Sequence, residues 1–574
     1  MRISFFKDKF IGYLTPLERP DELKDAGFVW DNMLKRFVTT DYKIAEKLLK
    51  FCDENAVYHI MFNKRDVNAE QNIKDSYKTE SDFRVFHPET LKPFPFQIAG
   101  VEFMMKRDAV LLADQMGLGK TIQALLTMNM RTDVEALIVC PSILKYNWLK
   151  EARKSLIGEL LAFVYEGKKI RYYKATLTPH KKKTILHIIN YDILSKFKKR
   201  LSEINYNFFV ADECHNIKNI SAKRTKVSQE LAKKARYKIF ITGTPIYNKP
   251  KDLYVVLNLI DPAMFNNFQV FADRYCGAEK VNVGLGGKKR MVTKYEGATN
   301  LDELNRILRG NYMIRRMKEE VLKELPEKLK DVVVLDEDDL AGLVEKEKNA
   351  VAVIKQQQDI LQAEVNKLRE LAQDNKAYEE TYKDRVKKLR NIKMNGFGEI
   401  ARIRKEIAVK KIPYVVDFVK DILENSEDKQ SKVVVFGHHQ EVIYGLAEQL
   451  KEYFPLVITG QTNDAERQKN IMLFKEKNPH RIFIGSMGAA GTGVDGLQNN
   501  CNTVVFAELD WTPALVQQAE DRLQRIGQKN TVWVYHIVAN DSIDARIAKI
   551  MVQKDNVAKQ ILDMKPEQLY NALV

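Results

Sequence analysis

At 574 residues, with 45% hydrophobic and 30% charged residues, the chain is too long for one hydrophobic core, and its length alone indicates roughly three or four domains. No apolar run approaches the ~20 residues of a membrane helix and MRISFFKDKF lacks a signal-peptide core, so we expect an intracellular protein: cytoplasmic, nucleoid-associated or viral in a host cytoplasm, and nuclear if the source is eukaryotic. Five widely spaced cysteines without a C-x-x-C pair argue against zinc or disulfides, and 93 Lys and Arg against 77 Asp and Glu give a net charge of +16, which suits a polyanionic partner.

Residues 1–65 read as a small α+β module. Phe5, Phe6, Phe10 and Tyr13 alternate as in a strand, AGFVWD followed by KRF reads as a hairpin, Tyr42 to Cys52 has helical spacing, and Val57 to Phe62 suits a further strand. Exposed aromatic and basic residues on such a module would stack on or grip nucleic acid. Residues 66–89 are polar and read as a linker.

From 90 to 335 short apolar strands alternate with helical stretches. The strands are Ala109–Ala113, Ala136–Cys140, His187–Asn190, Phe208–Ala211 and Lys238–Thr242. Apolar strands separated by helices indicate a parallel, doubly wound sheet covered on both faces. Residues 281–295, with GLGGKKR, read as a hairpin tip. Residues 343–394 contain neither Gly nor Pro, and 336–411 read as a helical protrusion. A second alternating block, 412–565, carries strands at Lys432–Phe436, Pro455–Thr459, Arg481–Gly485, Thr503–Ala507 and Val532–Val538.

The chemistry centres on ADQMGLGKT, residues 113–121. A strand precedes it and a helix follows, the context of a phosphate-binding loop. Its glycines admit phosphate close to the backbone, and the helix start presents amide donors. Asp114, Gln115, Met116, Gly117, Leu118 and Gly119 would line the nucleotide, Lys120 would reach the β/γ-phosphates, and the Thr121 hydroxyl would bind Mg²⁺. Asp114 stands where the usual pattern has its first glycine.

Phe208 to His215, FFVADECH, ends an apolar strand in two acids. Asp212 suits Mg²⁺ and Glu213 suits orienting and deprotonating the attacking water. Thr242 and Thr244, in ITGTP, would relay the phosphate state. In QQAEDRLQRIGQ, Arg522 and Arg525 are three apart, which on a helix puts both guanidinium groups on one face, as an arginine finger for a transferring phosphoryl group requires.

ADQMGLGKT, LIVCPSILKYNW, ADECH, ITGTPIYN, GSMGAAGTGVDGLQ, ELDWTP and QQAEDRLQRIGQ occur in this order. The series closely resembles the motifs of the Swi/Snf family, double-strand DNA translocases of helicase superfamily two. The resemblance implies an α/β fold of two tandem RecA-like doubly wound lobes with ATP between them, and a DNA partner. It implies that Gln97 belongs to the segment that reads adenine, and that Gly491, Gly493 and Trp511 lie near DNA or the coupling path. Gln115, Cys214 and Asp495 depart from the residues usual in the family at their positions. The first 60 residues are similar to the HARP-like module of annealing helicases.

The function expected on these grounds is an ATP- and Mg²⁺-dependent translocase, monomeric in isolation, acting on duplex or branched DNA. A strand-separating DNA or RNA helicase and an ATP-gated DNA clamp are the rivals.

Overall fold

The computed structural model describes residues 1–6, 9–14, 20–53, 56, 69–243, 250–282, 291–295, 297–374, 378–426, 428, 430–476, 479–490, 494 and 496–552. They form two compact units, Met1–Glu279 with Lys294–Val321, and Lys280–Thr293 with Leu322–Val574.

The first unit opens with an antiparallel sheet whose described strands run in the order Arg2–Phe6, Lys9–Tyr13, Arg36–Thr39, Val29–Asp31. The stretch read as one strand is a hairpin, with Phe5 opposite Phe10 and Arg2 opposite Tyr13. Ile3, Phe10, Leu23, Phe28 and Phe37 form its core. The expected strand at 57–62 lies outside the described residues. Residues 66–89 are not a plain linker: Ala69–Tyr77 is a helix, with the Arg309 guanidinium 3.7 Å from the centre of the Tyr77 ring. Val85 then packs with Val101 and Leu126. Its polar sequence hid this helix, because its support is tertiary.

The large sheet of the first unit has the order Met313–Ile314, Ala109–Leu112, Tyr237–Ile241, Phe208–Asp212, Val134–Cys140, Lys183–Asn190, Glu159–Glu166, Lys169–Thr176 among the described residues. All pairs for which a register is given are parallel except Glu159–Glu166 with Lys169–Thr176. Because side chains alternate along a strand, Phe209 and Ala211 enter one core while Phe208 and Val210 enter the other. That two-sided burial is why the central strands are apolar throughout.

The second unit repeats the principle. Its described sheet has the order Lys328–Leu335, Val532–Ala539, Thr503–Phe506, Val433–Gly437, Ile482–Ser486, Leu456–Ile458, all parallel. The chain thus carries two tandem RecA-like lobes. One boundary is corrected. Lys328–Leu335, assigned from sequence to the first lobe, is an edge strand of the second, paired along its whole length with Val532–Ala539.

The protrusion is a pair of helices, Asp338–Asp374 and Glu379–Lys410. Ile354 meets Gly396 and Glu364 pairs with Arg385 at 2.9 Å, which fixes an antiparallel hairpin. At about 1.5 Å per residue the first helix is about 55 Å long. Its base is anchored in the second unit: Glu347 accepts the Ile543 amide at 2.7 Å, Arg404 pairs with Asp544 at 2.5 Å, and Lys411 donates to the Ala507 and Ile537 carbonyls. Ala278–Asn282 and Met291–Tyr295 form the expected ribbon; its tip, 283–290, lies outside the described residues. No helix among the described residues is long and apolar enough to cross a membrane.

Candidate functional site

Three strand ends build the site in the first unit. Leu112 pairs with Ile241, and Ile241 with Asp212. The loop after Leu112 and the acids at Asp212 therefore leave the same edge, separated by one strand, at about 10 Å from a strand spacing of about 4.8 Å. Carboxyl ends of parallel strands are where open α/β sheets bind ligands.

The loop runs from Ala113 into the helix Lys120–Asn129. Gly117 and Gly119 have φ of 89° and 71°, the left-handed region that a β-carbon disfavours. A β-carbon on Gly119 would also lie 2.4 Å from Gln97 Nε2, which donates to the Leu118 carbonyl at 3.2 Å. Gln97, expected to read adenine, here braces the loop. Lys120 Nζ donates to the carbonyls of Asp114 at 2.8 Å and Gln115 at 3.3 Å. Met116 presses on Gly243, where a β-carbon would lie 2.4 Å from Met116 Cγ. Thr121 opens the helix, partly exposed beside Lys120.

Asp114 is corrected as a nucleotide-facing side chain. Its carboxylate is fully buried and pairs with Arg316, from Nε at 3.0 Å and from the terminal nitrogen at 2.5 Å, and accepts Gln123 Nε2 at 2.9 Å. Gln115 is similarly engaged: its amide donates to the Arg316 carbonyl at 3.0 Å and its Oε1 accepts the Lys318 amide at 2.7 Å. Leu118 is fully buried. The loop's first half is thus tied to the segment following the strand Met313–Ile314, leaving Lys120 and Thr121 at the site.

Asp212 is buried, with Oδ2 accepting Trp148 Nε1 at 2.8 Å and its carbonyl accepting the Tyr191 hydroxyl at 2.7 Å. Burial, then the neighbouring Glu213, raise its pKa, while Trp148 and Lys120 act in the opposite direction. Glu213 has φ of 49°, a left-handed conformation that is uncommon away from glycine and occurs at active sites. Its Oε2 lies 3.4 Å from His215 Nδ1. Burial, with help from Lys218, lowers the His215 pKa to about 4, so the imidazole is neutral near pH 7. Thr242 is buried and donates its amide to Leu112 at 3.2 Å. Thr244, Gly491 and Gly493 lie outside the described residues.

In the second unit the helix Pro513–Glu520 ends before both arginines. Arg522 and Arg525 therefore stand on the turns that follow, not on one helix face. Arg522 is buried and donates to the Val494 carbonyl at 3.2 Å; Arg525 is partly buried. Trp511, expected near DNA, is 8% exposed, with its ring 5.3 Å from Phe397 and the Arg404 guanidinium 4.0 Å from its centre. That surface packs inside the unit.

Sequence reasoning missed two supports of the site. Arg316 lies 202 residues from its partner Asp114, and its only local sign is the pair Arg315-Arg316 after an apolar dipeptide. Trp148 closes the segment LIVCPSILKYNW, whose resemblance to a family motif marked it without disclosing that it holds Asp212.

A family model for the SNF2-related domain matches residues 96–385, half of the chain. The chain belongs to the SNF2-related family. A helicase conserved C-terminal domain matches residues 414–527 of this SNF2-related protein. It is 30% identical over 473 residues to the SWI/SNF-related matrix-associated actin-dependent regulator of chromatin subfamily A-like protein 1 of Xenopus laevis, covering 81% of this chain and 44% of the relative. It is 31% identical over 497 residues to the mouse DNA annealing helicase and endonuclease ZRANB3, covering 84% of this chain and 42% of the relative. The chain thus spans less than half the length of these two curated relatives. The Sulfolobus solfataricus SWI2/SNF2 ATPase core in complex with dsDNA aligns over 86% of this chain and 97% of its own, at 20% identity and a TM-score of 0.36.

Proposed function

We propose that this SNF2-related protein is a DNA-dependent ATPase that translocates on duplex or branched DNA. The observation that carries the reading is the row Leu112–Ile241–Asp212, which puts the Lys120 loop and the Asp212-Glu213 pair on one edge of one sheet. Lys120 binds the β/γ-phosphates, displacing its nitrogen from the loop carbonyls that now hold it. Glu213 orients the attacking water and takes its proton as the water oxygen bonds to the γ-phosphorus and the bond from the γ-phosphorus to the β,γ-bridging oxygen breaks, with ADP leaving. Arg522 and Arg525 offset the charge that develops on the transferring group.

The donors present fit a nucleotide-borne Mg²⁺. Among the described residues no group of three or more His, Cys, Asp or Glu is arranged to hold a metal, but Mg²⁺ on ATP needs only one or two protein ligands beside phosphate and water. Thr121 and Asp212 would hold it, and it would supply charge neutralisation at the phosphate oxygens.

A DNA substrate is supported by the net charge of +16 and by the names of the relatives, one of them a DNA annealing helicase. Binding through Lys, Arg and backbone amides to phosphates would be salt-sensitive and weakly sequence-selective. The N-terminal sheet leaves Val29, Trp30, Met33 and Leu34 exposed on one hairpin, with the Arg36 guanidinium 5.6 Å from the centre of the Tyr13 ring. Such an aromatic and basic surface suits stacking on unpaired bases at a fork.

The test is steady-state ATP hydrolysis without nucleic acid, then with single-stranded, duplex and forked DNA and RNA. Stimulation by duplex or forked DNA is expected, with Lys120→Ala and Glu213→Gln inactive and the latter still binding ATP. Stimulation only by single strands or RNA would overturn the duplex translocase in favour of an unwinding helicase, and near-normal turnover in either variant would sink the site assignment.

A further inference from the structure

Two acids immediately precede Arg522. Glu520 ends the helix Pro513–Glu520 and is fully buried, and Asp521 is 5% exposed. Carboxylates are unfavourable both at a helix C-terminus and out of water, so this placement needs cations. They come from the edge strand Lys328–Leu335. Lys328 Nζ lies 3.0 Å from Glu520 Oε2 and 3.1 Å from Asp521 Oδ1, and Lys330 Nζ lies 2.6 Å from Glu520 Oε2. On the far side, Glu520 Oε1 is 3.6 Å from Nε2 of the fully buried His536. Gln524 Nε2 reaches the Pro326 carbonyl at 3.5 Å, adding a second tie from the same stretch.

We infer that Lys328, with Lys330, is a positioning residue for the arginine-bearing turn: its ion pairs with Glu520 and Asp521 fix the two residues from which Arg522 springs. The inference rests on the reading that Arg522 and Arg525 act on the transferring phosphoryl group. The backbone supports the same path, since Asp521, Arg522 and Leu523 donate their amides to Gln517, Ala519 and Glu520 in succession. Burial works against both charge states, yet Lys330 and Lys328 hold the Glu520 carboxyl well below its usual range, and Asp521 and Glu520 raise the Lys328 ammonium against its desolvation. Glu520 and Lys328 are therefore both charged at working pH. Without the lysines, the two buried carboxylates lose the cations that hold them, and the turn that carries Arg522 loses its tie to the edge strand.

The experiment compares Lys328→Met, Lys328→Arg, Arg522→Lys and Arg525→Lys in the full chain, measuring DNA-stimulated kcat, KM for ATP and the melting temperature. A displacement of about 1 Å in a group that acts on the transition state costs about 100-fold in rate. Lys328→Met is therefore expected to lose about that in kcat with KM little changed, and Lys328→Arg to recover most of it. Should Lys328→Met fail to fold, the charge-balanced Lys328→Met/Glu520→Gln carries the same expectation. Wild-type kcat in folded Lys328→Met or in Lys328→Met/Glu520→Gln, or a loss that only tracks melting temperature or KM, overturns the inference. Normal turnover in both arginine variants removes the role of the arginines, and with it anything for Lys328 to position. Inactive arginine variants beside an active Lys328→Met refute the clasp alone.

Discussion

Asp114→Asn separates two roles that the loop sequence leaves open. The carboxylate faces a fully buried Arg316 through two guanidinium bonds and also accepts Gln123. Neutralising one partner of a buried pair leaves the other charge uncompensated, at a cost of about 3–5 kcal/mol. With two lobes, unfolding is not one transition, so the quantity to follow is the denaturant midpoint of the first. At a urea slope of about 3 kcal/mol per M, that midpoint should fall by roughly 1–1.7 M. Arg316→Met added to Asp114→Asn should recover part of the loss, because no orphaned guanidinium remains. Nucleotide binding below the transition should persist, since Lys120 and Thr121 still stand at the helix start. Abolished ATP binding at an unchanged midpoint would refute this reasoning and return the carboxylate to the phosphate site.

Gly119→Ala combines a left-handed backbone, costing about 1–2 kcal/mol for a residue with a β-carbon, with displacement of Gln97 from the Leu118 carbonyl. KM for ATP should rise by about tenfold, each tenfold being 1.4 kcal/mol, and an unchanged KM would refute the brace. Arg525→Lys should lower kcat by at least about 10³-fold with little change in KM, as loss of an arginine finger does; a single-turnover assay reads this, and a fall below tenfold would count against it. Glu347 gives a pH signature. Burial first, then Asp544, raise its pKa to about 7 against the opposing Ile543 amide. The folded state then binds more protons than the unfolded one between pH 4.5 and about 7, so stability falls as pH rises through that window. Glu347→Gln, which keeps an acceptor for Ile543, should therefore gain on wild type across it, by up to roughly 3 kcal/mol at 1.36 kcal/mol per unit. A difference in melting temperature that stays flat from pH 4.5 to 8 would contradict this.

What could be read from sequence depended on where a residue finds its partner. Phe208–Asp212 and Val433–Gly437 are buried on both faces, so their composition alone marks them as central strands. Lys169–Thr176, KIRYYKAT, is a largely exposed edge, and Lys328–Leu335 is half-exposed, so neither shows the apolar run that revealed the others. The end of the helix before Arg522 was equally hidden. EDRLQRI contains no breaker before Gly527, and a tie across to Lys328 lies 193 residues away in the chain. Asp114 misled for a related reason: its position in the loop suggested a ligand, while its partner stands beyond the whole first sheet.

The edge strand Lys328–Leu335 also changes how the helical hairpin relates to the chain. The polypeptide commits a strand to the second sheet before it leaves on the hairpin, then returns to lay down the rest. The hairpin is thus a detour inside one domain, not a bridge between two, and its outer length can vary without disturbing the ladder at its root. A protease nick along it would leave the lobe as two polypeptides held by the pairing of Lys328–Leu335 with Val532–Ala539. A fragment begun at residue 412 would instead lack that strand, leaving Val532–Ala539 as a raw edge and Glu520 without its lysines.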